Sequence, residues 1–288
     1  MPSLQDIKRR ITSVQKTQQI TRAMRMVAGA KLRRAQESIE SARPYAQRMR
    51  ETLEAVAAAQ GDAEHPLLEG REEINAVEII VVTSDRGLCG AFNSNVIKAA
   101  EAEIAAREGK QITITTAGRK AHEYFKKRHP NGMGSDHPQD GWVEYGQAAD
   151  IARRVATRYT EGEVDEVVLV YSEFVTAMTQ TPRAPRLLPF KTEGSEAEGE
   201  GTDELSYEIE PSPDKLLNVL VPKAVEVEVF RALLENQAGE HAARMAAMES
   251  ATRNTEELID SLTLQFNRAR QAAITKELVE IVSGAEAL

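Results

Sequence analysis

Four groups of residues have the types and spacing that could do chemistry. Gly87-Leu88-Cys89-Gly90 follows the β-branched run Ala76 to Thr83 and precedes a helical stretch, where backbone N–H groups at a helix start could cradle a phosphate. The segment lacks the third glycine of a dinucleotide fingerprint and the Lys-Ser/Thr of a P-loop, so a tight strand-to-helix turn is favoured over nucleotide binding. Cys89, the only cysteine, has no histidine beside it in sequence and is expected to be a small buried residue rather than a nucleophile. Among His65, His122, His129, His137 and His241, only His129 and the Asp136-His137 pair cluster. With no second anchored pair of ligands, a solvated loop is expected there rather than a metal site. Carboxylates lie on every helix face, so no acid–base pair stands out. The expectation is a chain with no catalytic, cofactor-binding or metal-binding set.

The fourth group suits recognition. A seam of apolar residues in the N-terminal segment is interrupted by Gln18, Thr21 and Arg25, where a simple coiled coil would place Leu or Ile, and apolar side chains shift sideways to Ile20, Met24, Met26 and Val27. Polar seam residues can fix register. Alternatively the stretch presents Met24, with basic Arg22 and Arg25 and with Met26, to another protein, since methionine is an adaptable contact residue. Near the other end, Arg268-Ala269-Arg270-Gln271-Ala272-Ala273-Ile274-Thr275-Lys276-Glu277 offers charged and hydroxyl groups for specific hydrogen bonds to a surrounding collar.

The elements that must position these groups are two long helices and an inserted globular part. Leu4, Ile7, Ile11, Val14, then polar Gln18, Thr21 and Arg25, then Ala28, Leu32, Ala35, Ile39, Ala42, Ala46, Met49, Leu53 and Val56 step by three and four along the first sixty residues. The same step joins Leu234, Ala238, His241, Met245, Met248, Thr252, Thr255, Ile259, Leu262, Phe266, Ala269 and Ala273. A narrow apolar stripe needs a partner helix, so the two ends are expected to wind around each other antiparallel. Ser3 and Asp6 form a capping box at the start of the first helix, Gly61 stops it, and Pro44 bends it. The last helix starts at Ser212-Pro213, is restarted or kinked at Pro222, and is closed by Gly284. Between them, strands are expected over 75–83, 111–116 and 164–171, extending through Val175, with short ones at 186–190 and 205–210. Helices are expected over 93–107, 118–128 and 147–160, with a loop from His129 to Gly141. Alternating strands and helices give a Rossmann-like α/β domain with a mostly parallel sheet. The fold class is therefore mixed α/β and α+β: a long antiparallel coiled coil over 1–60 and 213–288, and a globular domain over 75–210. That domain includes a mobile acidic surface loop at about 192–204.

Net charge is −9, yet the first fifty residues carry twelve Lys or Arg against three acidic residues. A basic rod on an acidic chain with only 5% aromatic residues argues against nucleic acid and for an acidic protein surface as its counterpart. No apolar run approaches the roughly 20 residues that span a bilayer, and the heptads begin at Leu4, leaving no room for a leader. A chain that is soluble and intracellular, or peripheral to a membrane, is expected.

Three stretches then carry a resemblance: Ile20-Thr21-Arg22-Ala23-Met24-Arg25-Met26-Val27-Ala28, Ser84-Asp85-Arg86-Gly87-Leu88-Cys89-Gly90, and the long ending from His241-Ala242-Ala243-Arg244-Met245 through Asn267-Arg268-Ala269-Arg270-Gln271 to Glu280-Ile281-Val282-Ser283-Gly284-Ala285. In order and spacing the chain resembles the gamma subunit of F-type ATP synthases over nearly its whole length. The resemblance implies a non-catalytic rotor shaft. Its coiled coil turns inside a hexamer of alpha and beta subunits, and its α/β foot binds the epsilon subunit and the c-ring of the membrane sector. It further implies that Met24 and its neighbours Arg22, Arg25 and Met26 meet an acidic loop of beta. Arg244, Arg268, Gln271 and Thr275, with Arg270 and Glu277 beside them, would meet catch loops of the hexamer. It implies contact with the membrane only through the complex, at the cytoplasmic face of a bacterial cell membrane, and no cofactor. A nucleotide-binding enzyme and a self-associating coiled-coil scaffold are the competing readings, separable by nucleotide calorimetry and by sedimentation.

Overall fold

The computed structural model describes residues 3–60, 65–139, 141–190 and 212–286. Helix α1 covers Leu4–Gln60 and is followed by β1 (Ala76–Val82), α2 (Phe92–Ala105), β2 (Gln111–Ala117) and α3 (Arg119–Arg128). A 3-10 turn (Pro130–Gly132) leads to β3 (Met133–His137), α4 (Tyr145–Thr160), β4 (Glu166–Phe174), β5 (Gln180–Arg183), β6 (Arg186–Leu188) and α5 (Pro213–Glu286). The chain divides into two compact units, Met1–Gly29 with Arg244–Leu288, and Ala30–Ala243, and both long helices contribute to each.

The larger unit is built on one sheet. Its strand order is β3-β2-β1-β4-β5, with β6 also pairing β4. Strands β1 to β4 run parallel, whereas β5 and β6 pair antiparallel with opposite ends of β4. The sequence Ala-Val-Glu-Ile-Ile-Val-Val of β1 shows no alternation because both its faces are covered, as parallel strands require. Val77, Ile79 and Val81 meet Val96 and Ala100 of α2 and Ala121 and Phe125 of α3. Ile80 and Val82 join a core made by Ile151, Val155 and Tyr159 of α4, Leu217, Val221 and Val225 of α5, and Leu53 and Val56 of α1. The later part of α1 and the earlier part of α5 therefore form one wall of the α/β core. Gly239 shows how closely α5 approaches: a β-carbon there would lie 2.9 Å from the Phe92 ring.

Several expectations are corrected. The span from His129 to Gly141, expected as a loop, contains the 3-10 turn and β3. Met-Gly-Ser-Asp-His has no β-branched residue to announce a strand, and its pairing is to β2 alone. Gly134 makes that pairing possible, since a β-carbon would meet Thr113 and Thr115 side-chain atoms at 2.9 Å. Strand β5 was not foreseen either; it is a short hairpin return on β4. Helix α5 continues through Pro222 and past Gly284 to Glu286, so neither residue breaks it. Helix α1 continues through Pro44, in keeping with the expectation that this residue bends the helix without ending it. The acidic segment at 192–204, the strand expected at 205–210 and the stop expected at Gly61 lie outside the described residues. The capping box at the start of α1 forms as expected, with Asp6 N donating to Ser3 Oγ at 3.2 Å and Ser3 Oγ donating to Asp6 Oδ2 at 2.7 Å.

Two local devices fix the sheet. Asp165 Oδ2 accepts from Asn75 N at 2.8 Å and Ala76 N at 2.9 Å, tying the start of β1 to the approach to β4. Those backbone hydrogen bonds hold its pKa below the ordinary carboxylate value. Because the folded pKa is the lower one, this stabilisation is complete above the unfolded pKa and is lost as pH falls through the folded one. Asp165→Asn should cost about 1 kcal/mol at pH 7, and the difference from the parent should shrink below about pH 4, as read by urea titrations at several pH values. Gly118, at the junction of β2 and α3, has φ 113°. Thr83 Oγ1, beside it, accepts from Ala121 N at 2.9 Å and so starts α3.

Candidate partner interface

The smaller unit pairs the first turns of α1 with the last turns of α5. Thr252 Oγ1 donates to Thr21 Oγ1 at 2.8 Å, Arg25 is ion-paired with Glu249, and a β-carbon on Gly29 would sit 3.4 Å from Met245 Sδ. Steps of four up α1 are matched by steps of three and four down α5, so the helices run antiparallel. Ile7, Ala28, Met248 and Leu262 are buried on this seam, and Thr21 and Thr252 are buried with them. Thr21 Oγ1 gives its own proton to Gln18 O at 3.0 Å, and the single proton of Thr252 Oγ1 is shared between Thr21 Oγ1 and Met248 O, 2.7 Å away.

This geometry accounts for the polar interruption. Arg25 would end on the seam by strict spacing, but the helix face turns so that Arg25 lies outside with Glu249, and Met24 is half-buried in its place. Hydrogen bonding to Arg25 lowers the Glu249 pKa, the guanidinium being its main cause. Thr21 and Arg25 set register, as the first reading has it; of the residues in the outward reading Arg22 and Met26, 64% exposed, face outward with Ile20 and Val27, whereas Met24 is half-buried and Arg25 is held by Glu249. Glu249 was missed from sequence, because its partnership with Arg25 depends on a register the sequence leaves free.

Of the remaining residues, Arg244 lies near this stretch and the others fall in a second place. Arg244 is half-buried next to the Gly29–Met245 contact. Arg268, Arg270, Gln271, Thr275 and Glu277 are exposed, and Thr275 Oγ1 donates to Gln271 O at 2.9 Å. At the helical rise, Gln271 lies about 30 Å along α5 from Glu249, so the structure does not bring this group together with Arg22–Met26. From Ile274 onward every described side chain of α5 is exposed, including Leu278, Val279, Ile281 and Val282. Ala273 is the last half-buried seam residue, and beyond it α1 has no turns left to pair. Exposed apolar side chains between charges mark surfaces that meet other molecules.

The other candidates take structural roles. Ser84 and Cys89 surround Asn93, which accepts from Ser84 N at 3.0 Å and whose Nδ2 lies 3.3 Å from Cys89 Sγ, so the segment closes into the tight turn expected. Cys89 is buried. Leu88 was missed: it is 63% exposed at φ 64°. His137 is half-buried in β3 rather than solvated in a loop. His241 is buried, edge-on to Trp142 at 6.0 Å. Among the described residues, no group of three or more His, Cys, Asp or Glu could hold a metal ion, and no helix is long and apolar enough to cross a membrane.

A family model described as ATP synthase matches residues 3–288. The ATP synthase gamma chain of Desulforamulus reducens is 50% identical over 288 residues, covering 100% of both chains. The chain belongs to the ATP synthase gamma chain family. That of Heliobacterium modesticaldum is 46% identical, again covering 100% of both. Among solved structures, a chain of the Tetrahymena thermophila mitochondrial ATP synthase central stalk and c-ring is 27% identical with TM-score 0.61, covering 81% of this chain and 99% of that one. A chain of the Euglena gracilis mitochondrial ATP synthase, 20% identical, matches in fold with TM-score 0.69 over 99% of this chain and 94% of that one. The gamma-chain fold thus includes both the paired helix ends and the α/β sheet.

Proposed function

We propose that the chain is the central rotor shaft of an F-type ATP synthase. It would couple ion flow through the membrane sector to conformational change, and so to ATP synthesis or hydrolysis, in a hexamer of alpha and beta subunits. The observation that carries this reading is the antiparallel helix pair of the smaller unit, register-locked by Thr21–Thr252 and Arg25–Glu249 and ending in an exposed apolar helix. The similarity to a chain of the Tetrahymena central stalk and c-ring supports it. In this reading the chain is itself non-catalytic and works at the cytoplasmic face of a bacterial membrane. It contacts the membrane only through the complex, with the epsilon subunit and the c-ring as further partners.

The mechanism is differential contact. One asymmetric rod inside a ring of similar sites touches each differently and holds each in a different conformation; rotation exchanges those contacts. Arg22, Met24, Arg25, Met26 and Arg244 would form one band of contact, and Arg268, Arg270, Gln271, Thr275 and Glu277 a second, higher or lower along the rod. A basic helix meets acidic loops well in this setting, because charge attraction is long-ranged and weakly directional.

Affinity purification from the native membrane is the direct test: the reading requires one copy of the chain per three alpha–beta pairs, and recovery as a free homodimer would sink it. Within the complex, Met24→Lys is expected to reduce proton pumping per ATP hydrolysed by about fivefold or more while the isolated chain unfolds near the parent temperature. Equal pumping ratios in mutant and parent vesicles would remove Met24 from the interface.

A further inference from the structure

Arg25 and Glu249 meet across the two helices of the smaller unit with side chains 43% and 44% exposed. A half-exposed pair of this kind adds little to stability, because water screens it and two long side chains must be ordered to make it. Register does not depend on it alone either. The buried Thr21–Thr252 contact lies one turn before Arg25 on α1 and one turn after Glu249 on α5, and it holds the two helices in step without the charges.

What the pair does decide is which cation is free. Arg22 is three residues before Arg25 and therefore its neighbour on the helix surface. It is exposed, and among the described residues its side chain makes no ion pair or hydrogen bond. Ile20, Met26 and Val27 are exposed beside it. Arg25, in contrast, has Nη1 on Glu249 Oε2. Arg253, one turn further along α5, also acts on the charge of Glu249, yet the contact is made by Arg25. A guanidinium free to sweep can grip a carboxylate through two parallel hydrogen bonds. One already held by a carboxylate offers a neutral pair instead.

We propose that Glu249 is a positioning residue of the contact band: it holds Arg25 to the rod and cancels its charge, leaving Arg22 as the cation presented to the partner. The inference rests on the rotor reading and on the acidic counterpart that the basic first helix calls for. A rod that passes from one partner site to the next must let go of each, so a second strong charged grip would slow it.

Glu249→Gln keeps the shape of the side chain and frees Arg25. In the assembled complex it should lower ATP hydrolysis at saturating ATP by about threefold or more, the deficit shrinking as ionic strength rises from about 0.05 M to about 0.5 M. Adding Arg25→Gln should recover most of the lost rate, and Arg25→Gln alone should be less impaired than Glu249→Gln. Were Glu249 only a fastener between helices, removing either partner would do equal harm and the second substitution would rescue nothing. Equal impairment of the two single variants, or no recovery in the double variant, therefore overturns the proposal. The isolated full chain provides a measurement that does not depend on the rotor reading. By 15N NMR, rotation of the Arg25 guanidinium should be hindered in the parent and free in Glu249→Gln, with Arg22 free in both. Free rotation of Arg25 in the parent overturns the proposal whatever the complex does. Hindered rotation in a chain that does not copurify with alpha–beta pairs overturns the rotor reading, and the proposed role with it.

Discussion

Gly118→Ala is expected to destabilise the larger unit by at least about 4 kcal/mol. At φ 113° the backbone occupies a region that L side chains rarely adopt, which by itself costs about 1–3 kcal/mol. The added methyl would also lie 2.3 Å from the Thr83 carbonyl oxygen, a backbone atom that cannot rotate aside. Thr83 cannot retreat either, because its N–H donates to Ala117 O at 2.8 Å and its hydroxyl starts α3. The β1–β2 pairing and the first turn of α3 would have to shift together. Urea unfolding followed by fluorescence of Trp142, the only tryptophan, gives the measurement. A loss under about 1 kcal/mol would show that the junction relaxes freely.

Leu53→Ala should cost about 3 kcal/mol or more in the same assay. Leu53 is 0% exposed and packs with α4, α5 and the sheet, so the truncated site would leave a cavity that three elements cannot close at once. Trp142 is well placed to report this. Arg34 of α1 stacks 4.2 Å over its ring, and His241 of α5 meets its edge, so both helices sense the same fluorophore. Leu262→Ala, on the seam of the smaller unit, should leave the Trp142 transition near the parent midpoint. Equal shifts for the two variants would mean that the units unfold as one.

The long helices, their antiparallel sense and the parallel strands were legible because each rests on a repeated signal. Three-and-four spacing recurs over many turns, and β1 and β4 are rich in β-branched residues. β3 and β5 carried no such signal. Met133-Gly134-Ser135-Asp136-His137 becomes a strand only because β2 offers an edge and Gly134 allows close approach. The stop at Gly284 and the alternative of a restart at Pro222 were misjudged because local breaking tendencies of about 1 to 3 kcal/mol were set against a helix already committed on both sides. The candidate contact residues were picked out by type, as basic and methionine-rich interruptions of a seam. Their distribution into two bands was not, since it depends on the Thr21–Thr252 register.

The exposed run from Ile274 to Val282 has a mechanical corollary. Two helices crosslinked by side chains resist twisting about their common axis far better than one, because neither can wind without dragging its neighbour. Past Ala273 that mutual restraint ends, and the single remaining helix is the softest torsional spring in the smaller unit. Torque applied to the paired region would therefore be borne with little twist, while the terminal turns could lag or lead by a fraction of a revolution, centring the axle as a pivot rather than driving it.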